Sequence, residues 1–238
     1  MVFIAKPNKI CYNRDMMRKK EKKTKIKHQP TFAFIDASNL FYGGEKNLGW
    51  KIDYKKLLSY LRSRYGVTRA LYFGGVEIHT FPYDYIDEET VPIEKLERHL
   101  SDIVKNRREE LSEPMLLFID RHLQRVRFYK KLAEFGYELH LKPVKLYRQE
   151  DESTKRKANC DVDMAFYLMK EKGLFSRALI LSGDGDFLPV LKYLERDKKE
   201  IIILSRGERT AKEIRRFAGG NFCDFIKLEK HIKFETKK

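Results

Sequence analysis

The stretch Leu181-Ser182-Gly183-Asp184-Gly185-Asp186-Phe187 constrains this chain more than any other. It follows the apolar run Ala178-Leu179-Ile180-Leu181 and precedes a periodic run from Leu188 to Leu194. A short apolar run closed by a glycine turn reads as a buried strand, and the periodic run as a helix. Strands buried on both faces belong to parallel sheets covered by helices. In an open parallel sheet such a turn lies at the carboxyl ends of the strands, where ligands bind. Two carboxylates, Asp184 and Asp186, sit in the turn. Helix capping accounts for one of them, since Asp is a preferred N-cap and first-turn acids suit the helix dipole. It accounts less well for both.

The rest of the chain repeats the alternation of strand and helix. Thr31 to Ile35 is a short apolar strand ended by Asp36-Ala37-Ser38-Asn39, for which an Asx-turn is the plain alternative to a site. Asp53 caps a helix through Leu57, Leu58 and Leu61. A second strand, Arg69 to Phe73, stops at Gly74-Gly75. Pro92 opens a helix through Ile93, Leu96 and Leu100, Glu113-Pro114 interrupts, and a second helix runs through Leu123, Val126 and Leu132. The two suit an antiparallel hairpin. A strand at Tyr137 to Leu141, a polar loop from Lys142 to Lys157 and a helix from Asp161 lead to the stretch above. A strand at Ile201 to Leu204, a helix through Ile214 and a short strand at Asp224 to Leu228 follow, and Lys230 to Lys238 reads as a frayed tail. The order predicts a three-layer α/β domain over 31–228, with a central parallel sheet, helices on both faces and a helical insertion at about 92–114. Basic segments at 1–30 and 229–238 flank it.

On that architecture Asp36, Asp161, Asp184 and Asp186 fall at strand carboxyl ends or at the helix starts beside them. Asp161 shares a helix face with Met164, Ala165 and Leu168, so it heads a stripe that faces the sheet. Asp163 is rotated by roughly 200° from it, at about 100° per residue, and is a secondary candidate. Converging carboxylates repel one another, and a divalent cation removes the penalty. Mg²⁺ and Mn²⁺ favour carboxylate and water ligands, and paired ions ~3.5–4 Å apart hydrolyse phosphodiesters. Asn39 would orient a ligand water or a substrate phosphate. No Walker-type glycine loop, Ser-His pair or Cys-His pair is evident.

Charge bears on the partner. The net charge is +15, and residues 1–30 hold ten Lys/Arg against two Asp/Glu, so about half of the basicity belongs to the leading segment. Met16 to Lys27 has no apolar period and predicts disorder, which suits a nucleic-acid arm or a solubilising leader. Met16 or Met17 is an alternative starting residue. Within the domain, Arg121, Arg125, Arg127, Lys130 and Lys131 lie on one helix. Lys142, Lys145, Arg148, Lys155, Arg156 and Lys157 fill the polar loop, with Tyr147 among them. Basic residues with an interleaved aromatic suit a single nucleic-acid strand, although a solvated basic face is the plain alternative. Three scattered cysteines give neither a disulfide framework nor a zinc spacing. No apolar run spans a membrane and no secretory signal opens the chain, so a reducing cytoplasm is the default.

Five blocks then carry a resemblance: Phe34-Ile35-Asp36-Ala37-Ser38-Asn39-Leu40, Phe128-Tyr129 with Gly136-Tyr137-Glu138, Lys142-Pro143-Val144-Lys145, Lys157-Ala158-Asn159-Cys160-Asp161-Val162-Asp163, and Leu181 to Phe187. In this order they resemble NYN domains of the LabA-like type, in the PIN-like nuclease superfamily, over about 31–228. The resemblance implies a PIN-like fold and a metal-dependent ribonuclease-like site of Asp36, Asp161, Asp184 and Asp186 with Asn39 beside them. It departs where many relatives have Lys-Gly-x-x-Asp in place of the 157–161 block, and where many carry a further Asp at the position of Tyr167, which leaves one-metal or impaired catalysis open. The expectation is a Mg²⁺- or Mn²⁺-dependent endoribonuclease on single-stranded or structured RNA, with DNA as a second candidate substrate. Arg121, Arg125 and the 142–157 lysines and arginines would hold the backbone. The insertion is open to a role as lid, homodimer contact or substrate clamp. The competing expectation is a non-catalytic RNA- or DNA-binding regulator. A phosphohydrolase of small esters fits less well, because the residue two beyond Asp36 is Ser38 rather than a second Asp.

Overall fold

The structure is a computed structural model that describes residues 30–41, 48–106, 108–148 and 154–235, without the side chains of 146–148 and 154–157. The leading basic segment, up to residue 29, lies outside the described residues. The strands are β1 (Thr31–Asp36), β2 (Val67–Val76), β3 (Glu138–Pro143), β4 (Lys145–Arg148), β5 (Thr154–Lys157), β6 (Arg177–Leu181), β7 (Glu200–Ser205) and β8 (Phe222–Asp224). Six of them form one parallel sheet in the order β3-β2-β1-β6-β7-β8, and β4 and β5 form an antiparallel pair.

The period of two along a strand explains the layers. All six residues of β1 are buried. Ala33 and Ile35 enter one core with the apolar faces of α1 (Tyr54–Tyr65), α2 (Ile93–Asn106) and α3 (Glu113–Phe135). Phe32 and Phe34 enter the other with α4 (Cys160–Lys170), α5 (Leu188–Arg196) and α6 (Lys212–Ala218). The three layers that the alternation predicts are the ones observed. Asp53 caps α1, accepting from the Lys56 N–H at 2.9 Å. Ile93, Leu96 and Leu100 of α2 are buried in this chain's own core, packed with α3. No helix of the described residues is long and apolar enough to cross a membrane.

Four stretches differ from the sequence pattern. Strand β2 runs on through Gly74-Gly75 to Val76, because those glycines admit close neighbours rather than end the strand. A Cβ at Gly75 would stand 2.6 Å from the Ala158 Cβ. The polar segment after β3 is not all loop, since β4 and β5 pair Lys145 with Lys157 and Arg148 with Thr154. Strand pairing needs only backbone groups, and a ladder rich in Lys and Arg shows no apolar period. The last strand ends at Asp224 instead of starting there, because the Asp224 carboxylate accepts from the Ile226 N–H at 3.1 Å and turns the chain.

The fourth is the closing basic segment, whose described part is not frayed. A short helix, α7 (Glu229–Ile232), places Ile232 fully in the core. The Asp53 N–H donates to the Ile232 carbonyl at 2.8 Å and the Phe234 N–H to the Lys51 carbonyl at 2.9 Å. Its lysines hid one apolar anchor. Residues 236–238 lie outside the described residues. Removing a buried Ile side chain costs about 2–5 kcal/mol, so Ile232→Ala should lower the urea midpoint correspondingly. An unchanged midpoint would mean that the segment is loose in solution.

Candidate active site

Strand order fixes where a site can form. From β1 the chain passes through α1 to β2 on one side, then returns through α4 to β6 on the other. The order reverses between β1 and β6, and the crevice at the carboxyl ends of such a pair is the binding position of open α/β sheets. Ile35 is paired with Leu181, so Asp36 and Ser182 come next on adjoining strands.

Asp36 is 4% exposed. Its Oδ1 accepts from the Ser38 N–H (2.9 Å), the Ser38 Oγ (2.7 Å) and the Asn39 N–H (3.1 Å), and its Oδ2 accepts from the Ser182 Oγ (3.1 Å). The Asx-turn is therefore formed, and its N–H groups hold the Asp36 carboxylate at the sheet edge. Asp184 caps the turn after β6, its Oδ1 accepting from the Asp186 N–H at 3.0 Å. That bond uses only the backbone of Asp186, whose side chain is exposed. Asn39 is held through its Oδ1, which accepts from the Ser205 Oγ at 3.2 Å. Gly183 has no room for a side chain, since a Cβ would lie 2.6 Å from the Ser205 Oγ and 2.9 Å from the Thr210 Cα.

Two clefts meet at Asp36. The larger, about 620 Å³, has Asp36, Glu77, Arg121, Arg125, Cys160 and Asp161 in its walls. The smaller, about 410 Å³, has Asp36, Asn39, Gly183, Asp184 and Arg209. Asp161 thus faces one cleft, Asp184 the other and Asp36 both, while Asp186 lines neither. Sequence reasoning missed Glu77 and Arg209. Glu77 is the first residue past β2, which the pattern ended at Phe73; counting Val76 into the strand would have placed it at the sheet edge. Arg209 sits in the tight turn Gly207–Arg209, whose only signal is its position after the β7 strand.

The basic residues separate by partner. Glu97 pairs with Lys130 at 2.8 Å and Arg127 at 3.6 Å, and Glu134 pairs with Lys131 at 2.5 Å. Arg121 and Arg125, one turn apart on α3, instead line the larger cleft, with Arg125 5.9 Å from the Phe41 ring centre. Lys142 pairs with Asp163 at 3.0 Å, and neither lines the two clefts. Lys145 is exposed. The side chains of Arg148, Lys155, Arg156 and Lys157 lie outside the described residues, and their backbones form the β4–β5 hairpin.

Burial pushes the Cys160 thiol up to about 12, with Asp36 and Asp161 adding to the effect. It is a neutral thiol at physiological pH, not a thiolate nucleophile. Tyr167 lines neither cleft. Its hydroxyl donates to Glu89 at 3.0 Å, and its ring lies 4.1 Å from that of His140.

Carboxylate and amide oxygens are the donors that Mg²⁺ and Mn²⁺ prefer, so the donor chemistry fits such an ion. Among the described residues no three His, Cys, Asp or Glu side chains are drawn together closely enough to hold one. Mg²⁺ is commonly held by one or two carboxylates with waters completing its shell, and Asp36 and Asp184 are the carboxylates in the walls of the smaller cleft.

A model of the NYN domain matches residues 85–227, more than half of the chain. The chain belongs to the NYN domain family. NYN domains are nuclease-like, and the matched segment holds Asp161 and Asp184 but begins after β1 and Asp36. The chain is also 22% identical over 186 residues to the Low amplitude and bright protein LabA of Synechococcus elongatus, covering 76% of each. A solved structure of a protein of unknown function from Vibrio parahaemolyticus matches at a TM-score of 0.52 and 16% identity, over 83% of this chain and 94% of that one. That likeness extends the agreement to the fold.

The packing at Gly183 makes a prediction about the turn that carries Asp184. Gly183→Ala should cost about 1–3 kcal/mol of stability, the usual range for overpacking. Gly173→Ala, which has nothing within 4 Å of the added Cβ, should stay within about 1 kcal/mol of the parent. Equal effects in urea melts would contradict the close contact.

Proposed function

We propose that this NYN domain is a divalent-cation-dependent endoribonuclease whose substrate backbone crosses the sheet edge over Asp36. The observation that carries the proposal is the sharing of Asp36 between two clefts, each with further carboxylate and arginine in its walls. A polyanion needs cationic walls to approach a carboxylate cluster, and Arg121 and Arg125 on one side and Arg209 on the other supply them. Asn39, with its Oδ1 engaged by Ser205, has its amide N–H groups to donate to a phosphate oxygen. Asp36 and Asp184 would hold the cation, with Asp161 and Glu77 as acids of the adjoining cleft. Such an ion supplies Lewis acidity toward a phosphoryl oxygen and lowers the pKa of water. Arg209 lies on the Asp184 side, where it can pair with a phosphate oxygen as charge grows there. The donors around Asp36 keep its carboxylate fixed while the substrate enters and leaves.

The test is cleavage of a labelled single-stranded RNA with Mn²⁺, with Mg²⁺ and with a chelator, beside Asp184→Asn. Cleavage should require the metal and fall by more than about a hundredfold in the variant, since even residues that only orient metal ligands are worth about 10–100-fold. RNA bound without cleavage under all three conditions would make the chain a nucleic-acid-binding regulator. Equal cleavage by both proteins would place the activity elsewhere.

A further inference from the structure

Beyond the larger cleft, the β3 edge of the molecule carries exposed rings beside lysines. Tyr85 and Phe166 are each 55% exposed and Ile86 is 93% exposed. The Lys145 Nζ lies 4.9 Å from the Tyr85 ring centre, and the Lys170 Nζ lies 5.4 Å from that of Phe166. Phe166 stands four residues after exposed Val162 and four before Lys170, so the three share one stripe of α4. The segment with Tyr85 leaves β2 at Glu77 and returns to β3, where the Val91 N–H donates to the Leu141 carbonyl at 3.0 Å. Glu89 joins that segment to α4, accepting from the Tyr167 hydroxyl at 3.0 Å and lying 3.9 Å from Lys170. Tyr85 and Phe166 therefore border the same edge.

This edge continues from the larger cleft. Val144, Ala158 and Asp161 are in the cleft wall, next to Lys145 on one strand and to the α4 stripe on the other side. Phe73, also in that wall, begins a run of rings outward: His140 at 4.8 Å, Tyr167 a further 4.1 Å away, and Phe166 5.5 Å beyond. Ile86 and Val162 add aliphatic surface beside the rings but bring no charge. Rings with ammonium groups set over or beside them suit a ligand that alternates flat bases with phosphates.

We infer that this edge is a nucleobase platform for a single strand leaving the larger cleft, with bases stacked on Tyr85 and Phe166 and phosphates met by Lys145. The inference rests on the reading of the cleft as a nucleic-acid site. It adds a preference that the clefts alone do not impose: paired bases are already stacked and cannot lie on the rings, so the platform takes unpaired RNA.

The test measures binding by fluorescence anisotropy with the full chain and a chelator present, so that no cleavage intervenes. The probes are a labelled oligouridine long enough to leave the cleft, a diuridine confined to it, and an RNA duplex. Tyr85→Ala and Phe166→Ala should each weaken oligouridine binding by about tenfold, leave diuridine and duplex unchanged, and leave the salt dependence unchanged. Tyr85→Phe and Phe166→Tyr, which keep a ring, should bind like the parent. If the alanine variants bind normally while Arg121→Gln and Arg125→Gln bind weakly, the platform is wrong and the cleft reading stands. If the parent binds none of the probes, both fail. If the alanine variants instead turn a dimer into a monomer on sedimentation, the edge is a contact between copies and the inference is overturned.

Discussion

The sheet edge and its two clefts depend on one buried carboxylate. Asp36 ends the central strand β1 with almost no exposure, and a buried charge costs several kcal/mol unless it is hydrogen-bonded. Four donors from three residues meet it, and hydrogen bonds to charged groups contribute about 1.5–3 kcal/mol each. Two of the donors are backbone N–H groups of the turn after β1. The fourth, Ser182, belongs to the turn after β6. The same bonds that make the charge tolerable therefore join the two strand ends at which the chain reverses direction, and they set the position of Asp184 through the Ser182 hydroxyl, to which the Asp184 N–H donates at 3.3 Å.

The charges around Asp36 are arranged in alternation. Acids sit at the strand ends, arginines sit on the helix and turn that flank them, and other basic side chains of α3 are tied to Glu97 and Glu134. A strongly basic chain thus brings arginine to the clefts while part of its remaining charge is spent in local pairs. The close packing of Gly75 on Ala158 and of Gly183 on Ser205 and Thr210 shows how near the neighbouring elements come to the sheet edge. Small residues at those two positions let the hairpin root and the β7 turn form the cleft walls.

Much of this was legible in the sequence. The layers follow from apolar runs too continuous to be half-exposed strands, and the turn at 182–186 follows from its glycines and acids. Asp36, Asp184 and Asn39 were placed at the sheet edge by position alone, whereas the bond that joins the β1 and β6 ends, from Ser182 to Asp36, depends on a strand order that no local pattern contains. Glu77 was not legible because its strand was ended at a glycine pair that in fact serves close packing. Arg209 was hidden because an arginine in a charged turn has no period or spacing to mark it. The β4–β5 hairpin and the α7 anchor were missed for a shared reason: backbone pairing and a single buried Ile232 leave almost no apolar signal among lysines. The partition of the α3 cations and the pairing of Lys142 with Asp163 depend on tertiary neighbours that no local pattern contains.

The central claim is that Asp36 and Asp184, brought together by the strand reversal, act on one substrate as a unit. A double-mutant cycle measures this directly, using single-turnover RNA cleavage by the parent, Asp36→Asn, Asp184→Asn and the double variant. Residues that act as a unit are strongly non-additive, so the double variant should be about as slow as the slower single variant. Losses that multiply in the double variant would show two independent effects and would contradict the account.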